Sequence, residues 1–225
     1  MFLFRTLTIV LLSIFSFQLA IAQESTKKER ERQAVQAIIE LQKGVLILRL
    51  PSESKKIKAM QQVLAKDIND ADRTRLEKQI ESTRLKNEQE NRLVVDAFDN
   101  YFSFVPIYVI YDTATIALLE GRSGDYLLDT KLNPISLDTI RGKSFYIARL
   151  GSTDQANTTG AESIIIMDKN LNDLQSPFPY AIKLHSLGYT LNTLLIPKEA
   201  FEKRMEKVAS KLNKNLEKFY DNVKD

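Results

Sequence analysis

The sequence has no cysteine among its 225 residues, which excludes disulfide stapling, thiol redox chemistry, cysteine nucleophiles and thiolate metal sites together. A lipoprotein anchor, which needs a cysteine just after the cleavage site, is not expected either. The single histidine, His185, excludes a two-histidine zinc site within one chain. A Ser-His-Asp triad would have to use that residue, and no Gly-x-Ser-x-Gly elbow accompanies it. Ser123, in Gly121-Arg122-Ser123-Gly124, stands one residue short of the pattern. Charge of one sign is also missing: 32 Lys and Arg face 29 Asp and Glu, a net +3 that calls for neither nucleic acid nor an anionic membrane.

The longest apolar run, Leu7 to Leu19, is well short of the roughly 20 residues that a membrane-spanning helix needs. It follows the positive Arg5 and precedes Ala20-Ile21-Ala22, small residues at the spacing a signal peptidase reads. The run therefore predicts a signal peptide over 1–22, a mature chain starting at Gln23, no stable membrane anchor after cleavage, and a periplasmic or secreted product. What remains is enough for one domain with its own core.

That domain, residues 23–225, reads as α/β: a mixed central sheet flanked by helices, with an N-terminal helical hairpin and a long C-terminal amphipathic helix. Residues 24–100 are mostly helical with a strand at 44–50, residues 101–196 are strand-rich, and 197–223 form the last helix. Phe104 to Asp112, too apolar to alternate, predicts a strand buried on both faces around which the rest is organised. Ala34, Val35, Ile38, Ile39 and Leu41 give a one-sided helix stopped by Gly44, and Val45 to Leu48 a second buried strand. Ser52 is placed to cap a new helix, and Asn69 to Asp72 to break a helical pair. Asp112 and Gly121 bracket a short helix, Tyr126 to Leu128 reads as a short strand, and Lys131 to Gly142 as connection. Ser144 to Leu150 and Ser163 to Met167 are further strands, joined by a polar loop, and Tyr189 to Ile196 is a candidate edge strand. Ile47, Ile107 and Ile165 are expected to share one layer. From Pro197 the apolar residues Phe201, Met205, Val208, Leu212, Leu216, Phe219 and Val223 step by four or three, as a docked amphipathic helix requires. No internal repeat stands out.

Motifs with chemistry mostly fail on their own terms. Arg141-Gly142-Lys143-Ser144 resembles the tail of a phosphate-binding loop, but Leu137 occupies the earlier glycine position and a strand follows where a helix is needed. Asp168, Asn170, Asn172 and Asp173 alternate like calcium ligands, yet Asp173 fills the glycine position and Pro179 the twelfth, so a hairpin turn is the better reading. Glu120, Asp125 and Asp129 lie close in sequence as loop carboxylates. No metal site, catalytic residue or cofactor is implied.

One region is nominated by topology. Ligands of open parallel sheets gather beyond the carboxyl ends of the strands, where this chain places Arg49 with Ser52, Tyr111 with Asp112, and Arg149. Ser52 beside Arg49 would suit an anion. Phe178 and Tyr180, in Pro177-Phe178-Pro179-Tyr180, are candidates for a partner surface.

Gly44 to Leu50, Phe102 to Tyr111, Tyr146 to Gly151 and Pro177 to Tyr180 resemble segments of a set of uncharacterised exported proteins of Bacteroidetes-type bacteria. That resemblance carries over no catalytic residue. The order of strands and helices is also similar to thioredoxin-like folds, which implies a redox-inert version here, since no Cys pair exists.

Together these observations point to an exported, non-catalytic binding or interaction domain of the cell envelope with an unknown protein or small-molecule partner. An extracytoplasmic hydrolase using carboxylates or a Ser with His185 is the alternative, and a homodimer through the helical hairpin a third reading. Intact-mass analysis of protein secreted by an expressing cell is expected to show a chain beginning at Gln23; retention of Leu7 to Leu19 would refute the leader.

Overall fold

The apolar run between Gly44 and Pro51 becomes the strand against which the other layers are set. A computed structural model describes residues 26–153, 162–184 and 197–224. Helix α1 (residues 26–42) leads into β1 (Val45–Leu50). The helices α2 (Ser54–Leu64) and α3 (Asp70–Tyr101) then cross to β2 (Ile107–Tyr111). A 3-10 turn at Asp112–Ala114 and α4 (Thr115–Leu119) precede a long connection to β3 (Phe145–Ser152), followed by β4 (Glu162–Met167), β5 (Ala181–Lys183) and α5 (Pro197–Lys224). The sheet order is β2-β1-β3-β4-β5; β1 runs parallel to β2 and β3, whereas β4 and β5 are antiparallel additions. The fold is the expected α/β arrangement with a mixed sheet, and Ile47, Ile107 and Ile165 do lie in one layer.

Alternation along the strands separates two cores. Leu46, Leu48 and Leu50 of β1, with Ala148, Ile164 and Ile166, face α1, α3 and α5 through Ile38, Leu41, Val95, Phe98, Met205, Leu212 and Leu216. Val45 and Ile47, with Ile110, Ile147 and Met167, face the opposite way onto Leu118 of α4 and onto Leu127 and Ile140 of the connection. Each fully buried Leu or Ile contributes about 1.5–3 kcal/mol relative to exposure, and β1 collects such residues on both sides. The four-and-three stripe of α5 is the part of the sequence that maps most directly: Met205, Val208, Leu212 and Leu216 are buried, and the Phe219 ring meets Phe178 edge-on at 6.0 Å.

Several local expectations are corrected. The Phe104–Asp112 run supplies not the central strand but an edge, and Ile107 and Tyr108 are only half-buried; an apolar run reports packing on two faces, not position within the sheet. Val35 and Ile39 lie on the outer side of α1 while Ala34, Ala37, Ile38 and Leu41 face inward. Ser52 does not cap α2: its Oγ accepts the Ser54 N–H in a turn ahead of the helix, and Glu53 holds the cap position in a left-handed conformation. Asp112 likewise leaves its helix uncapped, because its carboxylate accepts the Ser52 N–H at 3.1 Å. Leu128 bridges to Val109 and Pro134 without forming a strand, and β5 carries no alternation long enough to read. The candidate edge strand at Tyr189 to Ile196 lies outside the described residues. The break at Asn69 is as expected, with Asn69 capping α3 through the Asp72 N–H.

Gly44 is required by proximity. A Cβ there would lie 2.1 Å from the Ser144 carbonyl oxygen, the group that accepts the Val45 N–H and opens the β1–β3 ladder. Gly44→Ala is expected to destabilise the fold by about 1–3 kcal/mol, seen as a lower urea midpoint with an unchanged slope; an unaltered midpoint would refute the close approach.

Candidate ligand site at the strand ends

Parallel pairing puts the carboxyl ends of β2, β1 and β3 on the same side of the molecule, with Leu50 opposite Tyr111 and Arg49 opposite Arg149. All five residues nominated there are thus at one end of the sheet, but not on one face. Tyr111 packs with the α1/α3/α5 core, whereas Arg49 and Arg149 continue the alternation of Ile47 and Ile147 and share the opposite face. Ser52 and Asp112 join the ends of β1 and β2 through their hydrogen bond. The β1 end is also fixed from the other side, since the amides of Asn87 and buried Asn91 both donate to the Pro51 carbonyl, at 3.0 and 2.8 Å.

The two arginines have different surroundings. Arg149 is 9% exposed; its Nη2 donates to both oxygens of Asp173, at 3.0 and 2.9 Å, and its Nε lies 3.2 Å from the Met167 sulfur. Its Nη1 occupies the space a Cβ of Gly151 would take. Arg49 is half-buried, its Nε is shut off from water without an acceptor, and its side chain bonds to no described residue. Across the sheet the register row reads Ile110, Arg49, Arg149, Ile165, Ala181, so the two cations lie side by side between fully buried isoleucines. The sequence marks Asp173 only as a position of the 168–173 turn and gives Gly151 no role of its own; their parts in holding Arg149 depend on the β4–β5 turn returning to β3, a contact with no local signature.

The other nominated features are placed differently. Phe178 is 2% exposed and belongs to the core, and Tyr180 is half-buried against it, so they form no outward patch; the Pro-rich segment turns its rings inward onto α5. His185 lies outside the described residues. Glu120 pairs with Arg122 on the surface, at 2.7 Å. Asp168 accepts the Asn170 and Asn172 N–H groups at 2.8 and 2.9 Å, as a turn carboxylate. Asp129 does the same with the N–H groups of Lys131 and Asn133, both at 2.8 Å, and these bonds, that of Asn133 foremost, hold its carboxyl below the usual carboxylate range. The two turns share the pattern Asp-x-x-Leu-Asn, with Leu132 and Leu171 each at φ 64°. This is a small repeated device that a search for longer repeats passes over. Among the described residues no group of three or more His, Cys, Asp or Glu is placed to hold a metal ion.

Elsewhere, a concavity separates α1 from the 168–178 segment. It comprises adjoining clefts of about 570 and 700 Å³, which share Gln33, Ala37, Asp168 and Leu174. At its wall the Tyr146 hydroxyl donates to Glu40 at 3.0 Å. Burial, reinforced by the Glu40 carboxylate, raises the Tyr146 pKa well above the ordinary tyrosine value.

No protein-family model matches the chain, and no curated protein or solved structure does.

Two outcomes test this geometry. Gly151→Ala is expected to push the Arg149 guanidinium off Asp173 and to cost about 1–3 kcal/mol for the disrupted buried charge. Denaturant midpoints and the Arg149 Nε–H resonance report it, and an unmoved resonance would contradict the placement. A phenol whose folded pKa is raised contributes stability that is whole below its unfolded value of about 10 and is lost as pH climbs through the folded value. Melting temperature should therefore fall above pH 10 less steeply in Tyr146→Phe than in the parent.

Proposed function

We propose that this chain is an exported, non-catalytic binding domain of the cell envelope that takes a small ligand beyond the carboxyl ends of β1 and β3. The observation that carries the reading is the register-matched pair Arg49 and Arg149, one compensated by Asp173 and the other without a counter-charge among the described residues. Like charges on adjacent strands are destabilising, and a half-buried guanidinium with an unsatisfied nitrogen adds a desolvation cost of about 1–3 kcal/mol. A ligand arriving at that position would offset both. The N-terminal apolar run and small-residue site support export to the periplasm or the medium, and the segments Gly44 to Leu50 and Phe102 to Tyr111 support kinship with the exported Bacteroidetes-type proteins that they resemble.

The hydrolase alternative relies on carboxylates or on a Ser with His185 and predicts turnover of ester or peptide substrates that His185→Ala abolishes. The binding reading expects no turnover, together with amide shifts confined to residues 49–52, 111–112 and 149–152 when a library of small metabolites is screened by two-dimensional NMR. Shifts elsewhere, or none with any compound, would refute it.

A homodimer through the hairpin is favoured by one separate observation: α2 buries none of its residues, and Val63 and Leu85 are 43% and 49% exposed. Light scattering is expected to show concentration-dependent association that Val63→Glu with Leu85→Glu abolishes; a monomer at all concentrations would exclude it.

A further inference from the structure

We infer that the ligand of the strand-end site is recognised through an oxyanion group, a carboxylate or a phosphate, gripped by Arg49 with Arg149 as its fixed companion. This inference rests on the binding role proposed above and specifies its chemistry. Arg49 brings five N–H donors in a planar fork, and no described residue takes any of them. Arg149 spends Nη2 on Asp173 and points Nε at Met167, which leaves Nη1 without a hydrogen bond to any described residue. Gly151 makes room for that nitrogen, which lies where a larger residue would put its Cβ. The site therefore offers the Arg49 guanidinium and, on a neighbouring strand roughly 4.8 Å away at the backbone, the two N–H groups of the Arg149 Nη1, none of them bonded to a described residue.

Asp173 shows what this environment accepts: a carboxylate held by one of the two cations. It offsets the charge of Arg149, and the guanidinium of Arg49, which no described carboxylate pairs, matches an anionic group. Ile110 and Ile165, both fully buried in the same row, lower the local polarity and strengthen a charge-assisted bond there. A neutral polar ligand would use the donors but leave the charge uncompensated.

Arg49 suits a direct test because removing it orphans no described partner. In Arg49→Met the melting temperature is expected to stay level or to rise, since an unpaired half-buried cation is replaced by an apolar side chain. The full mature chain would be titrated with inorganic phosphate, with acetate and with glycerol, following the arginine Nε–H resonances by NMR. Phosphate or acetate, but not glycerol, should shift the Arg49 signal. Arg49→Met should weaken binding of the active anion at least tenfold, and Arg49→Lys should retain part of it. Which of the two anions is held more tightly separates phosphate-bearing from carboxylate-bearing ligands. Equal anion affinity in parent and Arg49→Met, a shift with glycerol as large as with the anions, or no anion shift would each overturn the oxyanion assignment. If neutral compounds still bind at the strand ends, the binding role survives that failure; if no compound does, both fall. A drop of several degrees in the Arg49→Met melting temperature would overturn it too, by making Arg49 a structural residue.

Discussion

A strand with parallel neighbours on both edges must bury its two faces and also satisfy its main chain on both sides, and β1 meets these demands within six residues. Its entry depends on the close contact between Gly44 and the Ser144 carbonyl, and its exit on two asparagine amides that converge on the Pro51 carbonyl. Between these points Leu46, Leu48 and Leu50 look one way and Val45 and Ile47 the other. Arg49 is the one position where the alternation delivers a cation to an apolar face. That exception therefore stands inside the most constrained element of the molecule, where neighbouring groups have little freedom to rearrange around it.

The architecture was largely legible because its signals are local. The stripe of α5, the glycine after α1, the apolar runs of β1, β3 and β4 and the cap at Asn69 each follow from residues within a few positions of one another. What was hidden depends on long-range contact. The edge position of β2 comes from pairing order, and β5 is recognisable only as the partner of β4. Ser52 and Asp112 both carry cap-like side chains, yet Asp112 is drawn to the main chain of Ser52, sixty positions away, and the local preference yields. Phe178 misled because a ring between prolines looks exposed until α5 is brought over it.

The candidate site was half legible for the same reason. That Arg49 and Arg149 end apolar runs is visible in the sequence, and parallel pairing brings the ends together. Their different states are not visible, because Asp173 reaches Arg149 from a separate hairpin. Tyr111 shows the limit of reasoning by strand ends: it lies at the right end but on the wrong face. Two carboxylates that look chemically available, Asp129 and Asp168, are instead consumed by matching turns, each accepting two main-chain N–H groups.

The bridge between Val109 and Leu128 has a further implication. Val109 donates to and accepts from Leu128, both at 2.9 Å, so the outward-facing main-chain groups at the middle of β2 are already taken. An extended peptide seeking to lengthen the sheet from this margin would find its ladder interrupted at the first attempt. The connection that covers the second core thus also blunts the margin, protecting the β2 side from polymer-like growth without a proline or a lysine placed in the strand itself.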